Sequence, residues 1–286
     1  MGSLYGYEIE TDLQLERLNE APGERGTLAL ATSSSPLPIP DEDPVATLET
    51  EDGAVVVYSS YEVEGGCLLT MPPSGSFLIE PGPGRVTADT TERDELFEHR
   101  LESAAVCTLL AMRGDLALHA AAIEAGDGRA VVFCGPSHRG KSTIARALAA
   151  GGHRVLAEDG LVVTLDGPPV AYPGARGIRV RDEHGKVTLD TETGPGEPGH
   201  CDVAAVILLG ERGEDLAIER LEPAEAMASF TSSLIHPGGR PGIAVAFANL
   251  ARLFHSVPPV SASVPDDLDA LPRAAGELLD AALVAH

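Results

Sequence analysis

The chain has 286 residues, 43% hydrophobic and 22% charged, enough for one large domain or two modest ones around a real core. Its net charge is −24 and Lys occurs only at Lys141 and Lys186; a reader of phosphate backbones needs clustered Lys and Arg, so no nucleic acid partner is expected. The longest apolar runs fall well short of a membrane span, and the first ten residues lack a basic-then-apolar signal region. The four cysteines are widely spaced without a Cys-x-x-Cys. These features predict a cytoplasmic protein with buried, reduced thiols, no membrane partner, no disulfide frame and no zinc site. The acidity reads as a solvated, self-repelling surface, with attraction of basic peptides as the functional alternative.

Residues 1–90 read as a β-rich segment that packs on or extends the core. Strand candidates at 28–32, 55–61, 68–71 and 76–79 are punctuated by Pro and Gly. Nothing there has catalytic spacing; recognition of a protein substrate is the alternative role. Residues 91–286 form the second unit. A helix is predicted over 92–113, with Thr91 as N-cap, Glu92, Asp94 and Glu95 in its first turn, and Gly114 just past its end. Residues 116–123 read as one strand, turned by Gly126 and Gly128 into the apolar run 130–134. After that run come a glycine loop, a helix stopped by Gly151-Gly152, and a strand at 155–157 ending in Glu158-Asp159.

Further on, 161–165 and 170–172 read as a hairpin. A Gly-rich basic segment carries Arg176 and Arg179, and 183–199 reads as a polar surface loop, at most a lid. A buried strand at 203–209 is expected to pair with 216–221. Helices are expected at 222–235, 244–254 and 271–284. Pro258 and Pro259 make 255–264 extended.

The loop Gly135-Pro136-Ser137-His138-Arg139-Gly140-Lys141-Ser142 is a full match to G-x-x-x-x-G-K-[ST], and its strand–loop–helix setting is the one a phosphate-binding loop needs. A triphosphate concentrates negative charge. Consecutive amides and the following helix N-terminus form an anion nest, and Gly135 and Gly140 permit the tight turn. Lys141 supplies a point charge to the β and γ oxygens of ATP, Ser142 a hydroxyl to Mg²⁺, and Thr143 a second hydroxyl. His138 and Arg139 sit at the loop crown, either facing solvent or, for Arg139, touching the transferred phosphate. Mg²⁺ also needs a carboxylate opposite the hydroxyl, and Asp159 is the natural candidate. Glu158 either orients water, as in an ATPase, or takes the proton of an attacking hydroxyl, as in a kinase. Adjacent strand residues point to opposite faces, so both acids reach one site only where the backbone turns. His119 lies in an otherwise apolar strand; it is either a satisfied core residue or an imidazole that bonds phosphate or orients a carboxylate.

The run from His138 to Val163 resembles the core of HPr kinase/phosphorylase, the bacterial serine kinase. Gly135, Ser137, Gly140, Lys141, Ser142, Gly152-His153-Arg154, Ala157 and Asp159 match that family's pattern, and His119 parallels its histidine on the strand before the loop. Glu158 stands where the family has Asp, and Arg176-Gly177-Ile178 is a fragment of the bifunctional enzymes' signature. The resemblance implies an α/β fold with a P-loop, phosphoenolpyruvate-carboxykinase-like core, a base at Glu158, a Mg²⁺ ligand at Asp159 and ATP as donor. Flanking segments look like shorter relatives that include lasso-peptide precursor kinases. The implied partner is a peptide or small protein with an acceptor serine, first a lasso-type precursor, then HPr, then a small-molecule alcohol; Arg176 or Arg179 would steady transferred phosphate or a substrate carboxylate. The larger family forms hexamers, so a homo-oligomer belongs to the same expectation. The rival of another class is a nucleotide-binding regulatory protein without phosphotransfer.

Overall fold

A computed structural model describes residues 2–49, 56–89, 94–126, 128–136, 139–182, 185–189, 199–267 and 269–284. The protein is mixed α/β with two large sheets and a small hairpin. The first sheet takes β1 (Gly2–Leu4), β2 (Tyr7–Thr11), β3 (Thr27–Thr32), β4 (Ala46–Glu49), β5 (Val56–Val63), β6 (Gly66–Thr70), β7 (Ser76–Glu80) and β8 (Arg85–Asp89), in the order β1-β2-β3-β8-β7-β6-β5-β4. One face of alternating residues, among them Leu28, Leu30, Phe77, Ile79, Val86 and Ala88, is buried. It packs on a helical stretch made of α1 (Glu95–Arg100), a π-turn (Leu101–Val106) and α2 (Cys107–Met112). The expected cap Thr91 lies outside the described residues. The cap of α1 is Asp94, whose side chain accepts the Phe97 amide at 2.8 Å.

The second sheet carries β9 (Leu116–Leu118), β10 (Ala121–Glu124), β11 (Arg129–Cys134), β12 (Val155–Ala157), β13 (Leu161–Thr164), β14 (Val170–Tyr172), β17 (Cys201–Leu209), β18 (Ala217–Arg220), β19 (Leu234–Ile235) and β20 (Val260–Ser263); the separate hairpin is β15 (Ile178–Asp182) with β16 (Gly185–Leu189). The central strand β11 is flanked by β10, antiparallel, and by β17, parallel. Ala130, Val132 and Cys134 face one core; Val131 and Phe133 face the other. Burial on both faces explains why this strand reads as a continuous apolar run. Helices α3 (Lys141–Ala150) and α6 (Leu271–Val284) cover the second face through Ile144, Leu148, Leu271, Ala275 and Leu278. Residues of α4 (Pro223–Ser229) and α5 (Gly239–Ser256), with Phe230 edge-on to Phe254 at 4.8 Å, cover the first.

Four sequence expectations are corrected. The strand at 116–123 breaks at His119-Ala120, so β9 pairs with β13 and β19 while β10 pairs with β11 and β12. The strand at 216–221 pairs with β20, not with β17, because the more apolar β20 takes the place beside β17. The helix at 222–235 ends at Ser229: Thr231–Ser233 makes one 3₁₀ turn and Leu234–Ile235 becomes β19 on the edge of β9, as three hydroxyl residues, poor helix formers, permit. Part of the expected loop at 183–199 is the strand β16; residues 183–184 and 190–198 lie outside the described residues.

Candidate active site

Strand β11 ends at Cys134 and the chain turns at once. Gly135 has φ +146°, and a Cβ there would stand 2.9 Å from the Leu209 carbonyl on neighbouring β17, so only glycine fits. Gly140, with φ +99°, is the N-cap of α3 and supplies no side-chain cap. The first turn of α3 holds no acid, so its amides and the helix dipole present positive character to whatever lies over the loop. Lys141 is buried, and its Nζ donates to the carbonyl oxygens of Gly135 at 2.7 Å and Pro136 at 3.3 Å. That folds the ammonium over the loop. Arg139 Nη2 lies 3.3 Å from the exposed carboxylate of Glu211, and Thr143 is half-buried in the first turn of α3. Ser137 and His138 lie outside the described residues.

The acids arrive from β12. Ser142 Oγ donates to Glu158 Oε1 at 2.6 Å, so the side chain beside the loop hydroxyl is Glu158 rather than the expected Asp159. Asp159 takes φ +66°, a left-handed conformation that Asp tolerates better than most residues and that persists only where the surroundings enforce it. At this turn the strand ends, and the two acids take different partners: Glu158 bonds Ser142 while Asp159 meets two histidines. Gly160 follows because nothing larger fits: a Cβ would meet Tyr5 Oη at 2.7 Å and Cys107 Sγ at 3.0 Å. Tyr5, from the β1–β2 turn, donates to the Gly160 carbonyl at 3.1 Å.

Asp159 lies between two histidines. His119 Nδ1 is 3.0 Å from the Asp159 carbonyl oxygen and 3.8 Å from Oδ1; the His119 amide donates to the Ser233 carbonyl of the turn before β19. The strand break at His119 is therefore what turns the imidazole toward the acidic pair. On the other side His99 Nε2 is 3.1 Å from Asp159 Oδ2. His99 was not among the sequence candidates. Its neighbours Glu98 and Arg100 make it read as part of a polar helix face, yet it is 8% exposed.

Next along the same helix, Glu102 is fully buried in the π-turn, with Arg17 Nη1 3.5 Å from its Oε2 and no hydrogen bond to either carboxyl oxygen. Burial pushes its carboxyl up to about 8, with Arg17 pulling the other way. Contact at 3.5 Å with Arg17 does not offset the loss of water, and the neighbouring Glu98 adds to the preference for the protonated acid.

Arg176 is held elsewhere. Its Nη2 donates to the Glu16 carbonyl at 2.9 Å and its amide to the Arg17 carbonyl at 2.8 Å, beside a cavity of about 730 Å³ lined by the 12–17 segment and the start of α1. Arg179 lies in β15, paired with Thr188. Among the described residues no group of three or more His, Cys, Asp or Glu is arranged to hold a metal by itself. Ser142 and Glu158 set a hydroxyl beside a carboxylate, oxygen donors of the kind hard cations take. No helix among the described residues is long and apolar enough to cross a membrane.

No protein-family model matches the chain, and no curated protein matches it. Among solved structures the chain is similar to the Hpr(Ser) kinase/phosphatase from Coxiella burnetii, with 15% identity, a TM-score of 0.33, and coverage of 59% of this chain and 93% of that one.

Proposed function

We propose that the protein transfers the γ-phosphoryl group of ATP to a serine hydroxyl of a peptide or small protein. The observation that carries this reading is the acidic pair: Glu158 accepts the Ser142 hydroxyl at the start of α3, and the next residue, Asp159, is held in a left-handed turn in contact with His99 and His119. A protein that only binds nucleotide needs the loop and the lysine. It gains nothing from a second acid on a left-handed backbone, its carbonyl met by one imidazole and its carboxylate by another.

In this reading the loop amides and Lys141 hold the β and γ phosphates. Ser142 and Glu158 would hold Mg²⁺, which neutralises phosphate charge when bound. Asp159 accepts the proton as the serine oxygen bonds to the γ phosphorus and the bond to the ADP oxygen breaks; a positioned base of this kind contributes about 10²–10⁴-fold. The division of labour between the acids is thus the reverse of the one the resemblance implies. Arg139, at the loop crown, is the cation closest in sequence to the lysine and is offered to the transferred group; Arg176 and Arg179 are kept as candidates for the acceptor.

The test is purified protein with Mg-ATP and a panel of synthetic serine-containing peptides, some ending in serine, read by mass spectrometry. A phosphate-sized mass gain on at least one serine is expected. Measurable ATP binding without a gain on any peptide would leave a nucleotide-binding protein without phosphotransfer.

A further inference from the structure

We infer that His99 is a positioning residue for the transfer: it aims the Asp159 carboxylate at the acceptor, from a helix that packs against the first sheet. The inference rests on the phosphotransfer reading above.

His99 Nε2 stands 3.1 Å from Asp159 Oδ2, close enough for a protonated ring to attract the carboxylate. His119 engages the same residue at its main-chain carbonyl. Backbone and side chain of Asp159 are thus each held by an imidazole, and rotation of the carboxylate breaks the His99 contact. His99 itself is fixed. Its carbonyl accepts the Ser103 hydroxyl at 2.7 Å, and the same hydroxyl lies 3.4 Å from Nε2. The helix beneath is pinned to the first sheet: Phe97 stacks on Phe77 at 5.7 Å, and Arg100 Nη1 donates to the Pro72 carbonyl at 2.7 Å and to Ser74 Oγ at 3.1 Å. Tyr5, also from the first sheet, fixes Gly160 on the far side of Asp159. Tyr5 of the first sheet and His99 of the helix packed on it therefore hold neighbouring residues, Gly160 and Asp159, that follow β12 of the second sheet. An ion pair that served stability alone would need neither the left-handed turn nor the second imidazole.

The experiment compares His99→Leu, His99→Gln and His99→Asn with wild type, using Mg-ATP and the serine-peptide panel. His99→Leu removes the donor, and kcat is expected to fall about 10²-fold, the scale of a misplaced reacting group, with KM for ATP within about twofold. The Gln amide nitrogen reaches the place of Nε2, so His99→Gln should recover kcat to within about tenfold of wild type. Asn is too short and should not. If His99→Leu does not fold, the contrast between Gln and Asn decides. Equal kcat for Gln and Asn, or wild-type kcat in His99→Leu, overturns the inference while leaving the phosphotransfer reading standing. Absence of any transfer by wild type overturns both.

Discussion

Glu102→Gln should stabilise the protein, and more so as pH rises. The ordinary Glu carboxyl titrates at 4.5, and burial lifts Glu102 to about 8. The folded protein therefore binds a proton that the unfolded chain has released, and stability falls as pH rises through the window from 4.5 to about 8. At about 1.4 kcal/mol per tenfold change in proton affinity, the full penalty above that window is about 5 kcal/mol. Arg17 Nη1, 3.5 Å from the ionised oxygen, has already been counted as the opposing influence. Gln has the shape of the protonated acid and no charge to release. Urea unfolding followed by circular dichroism should show Gln and wild type nearly equal at about pH 5 and Gln ahead by roughly 3–5 kcal/mol at about pH 9. A difference that stays flat with pH, or wild type ahead at high pH, would show that Arg17 and Glu102 form a true ion pair and refute the argument.

Asp159→Asn should lower kcat by about 10²–10⁴-fold with nucleotide affinity nearly unchanged, whereas Glu158→Gln should raise the Mg²⁺ concentration needed for half-maximal rate by about 10-fold or more; the opposite pattern would restore Glu158 as the base. Lys141→Ala removes a charged hydrogen-bond donor worth about 1.5–3 kcal/mol, so ATP binding measured by calorimetry should weaken at least about 10-fold, and an unchanged Kd would place the phosphates elsewhere. The four cysteines are free and buried, with the thiols of Cys67, Cys107 and Cys134 pushed up to about 12 and Cys201 to about 11 by burial; iodoacetamide near neutral pH should label none in the native protein and all in denaturant, and rapid native labelling would contradict their placement.

Legibility in the sequence followed burial. β11 and β17 are covered on both faces, so their apolar runs announce them, and α6 carries a stripe that fixes both of its ends. β1, β2, β4 and β8 were missed for the converse reason. They are short, β2 and β8 mix charged residues such as Glu8, Glu10, Arg85 and Asp89 with apolar ones, and all four owe their strand state to cross-strand partners: Ala46 pairs with Ser60, and Leu30 with Val86. A strand stabilised by cross-strand neighbours leaves little mark on its own segment. The same holds for β19, two residues long, which exists because β9 has an edge to be paired.

The loop and the acidic pair were legible because glycine, lysine and adjacent carboxylates are needed at fixed spacing whatever surrounds them. Which acid does what was not, since it turns on one dihedral. With Asp159 in an extended conformation, 158 and 159 would point to opposite faces of a strand; at φ +66° the strand geometry ends, with Glu158 on Ser142 and Asp159 on the imidazoles. Nothing in the letters Glu-Asp-Gly encodes that choice. Tyr5, Ser103 and Cys107 crowd Gly160 and leave the chain no other path. The same crowding comes from the π-turn, which inserts an extra residue into the helix register and buries Glu102 where a regular 3.6-residue stripe predicts a polar position. His99 is placed by that helix, on a sheet whose sequence carries no catalytic pattern of its own. Its contact with Asp159, between a helix packed on the first sheet and an acid that follows β12, is visible only in the folded chain.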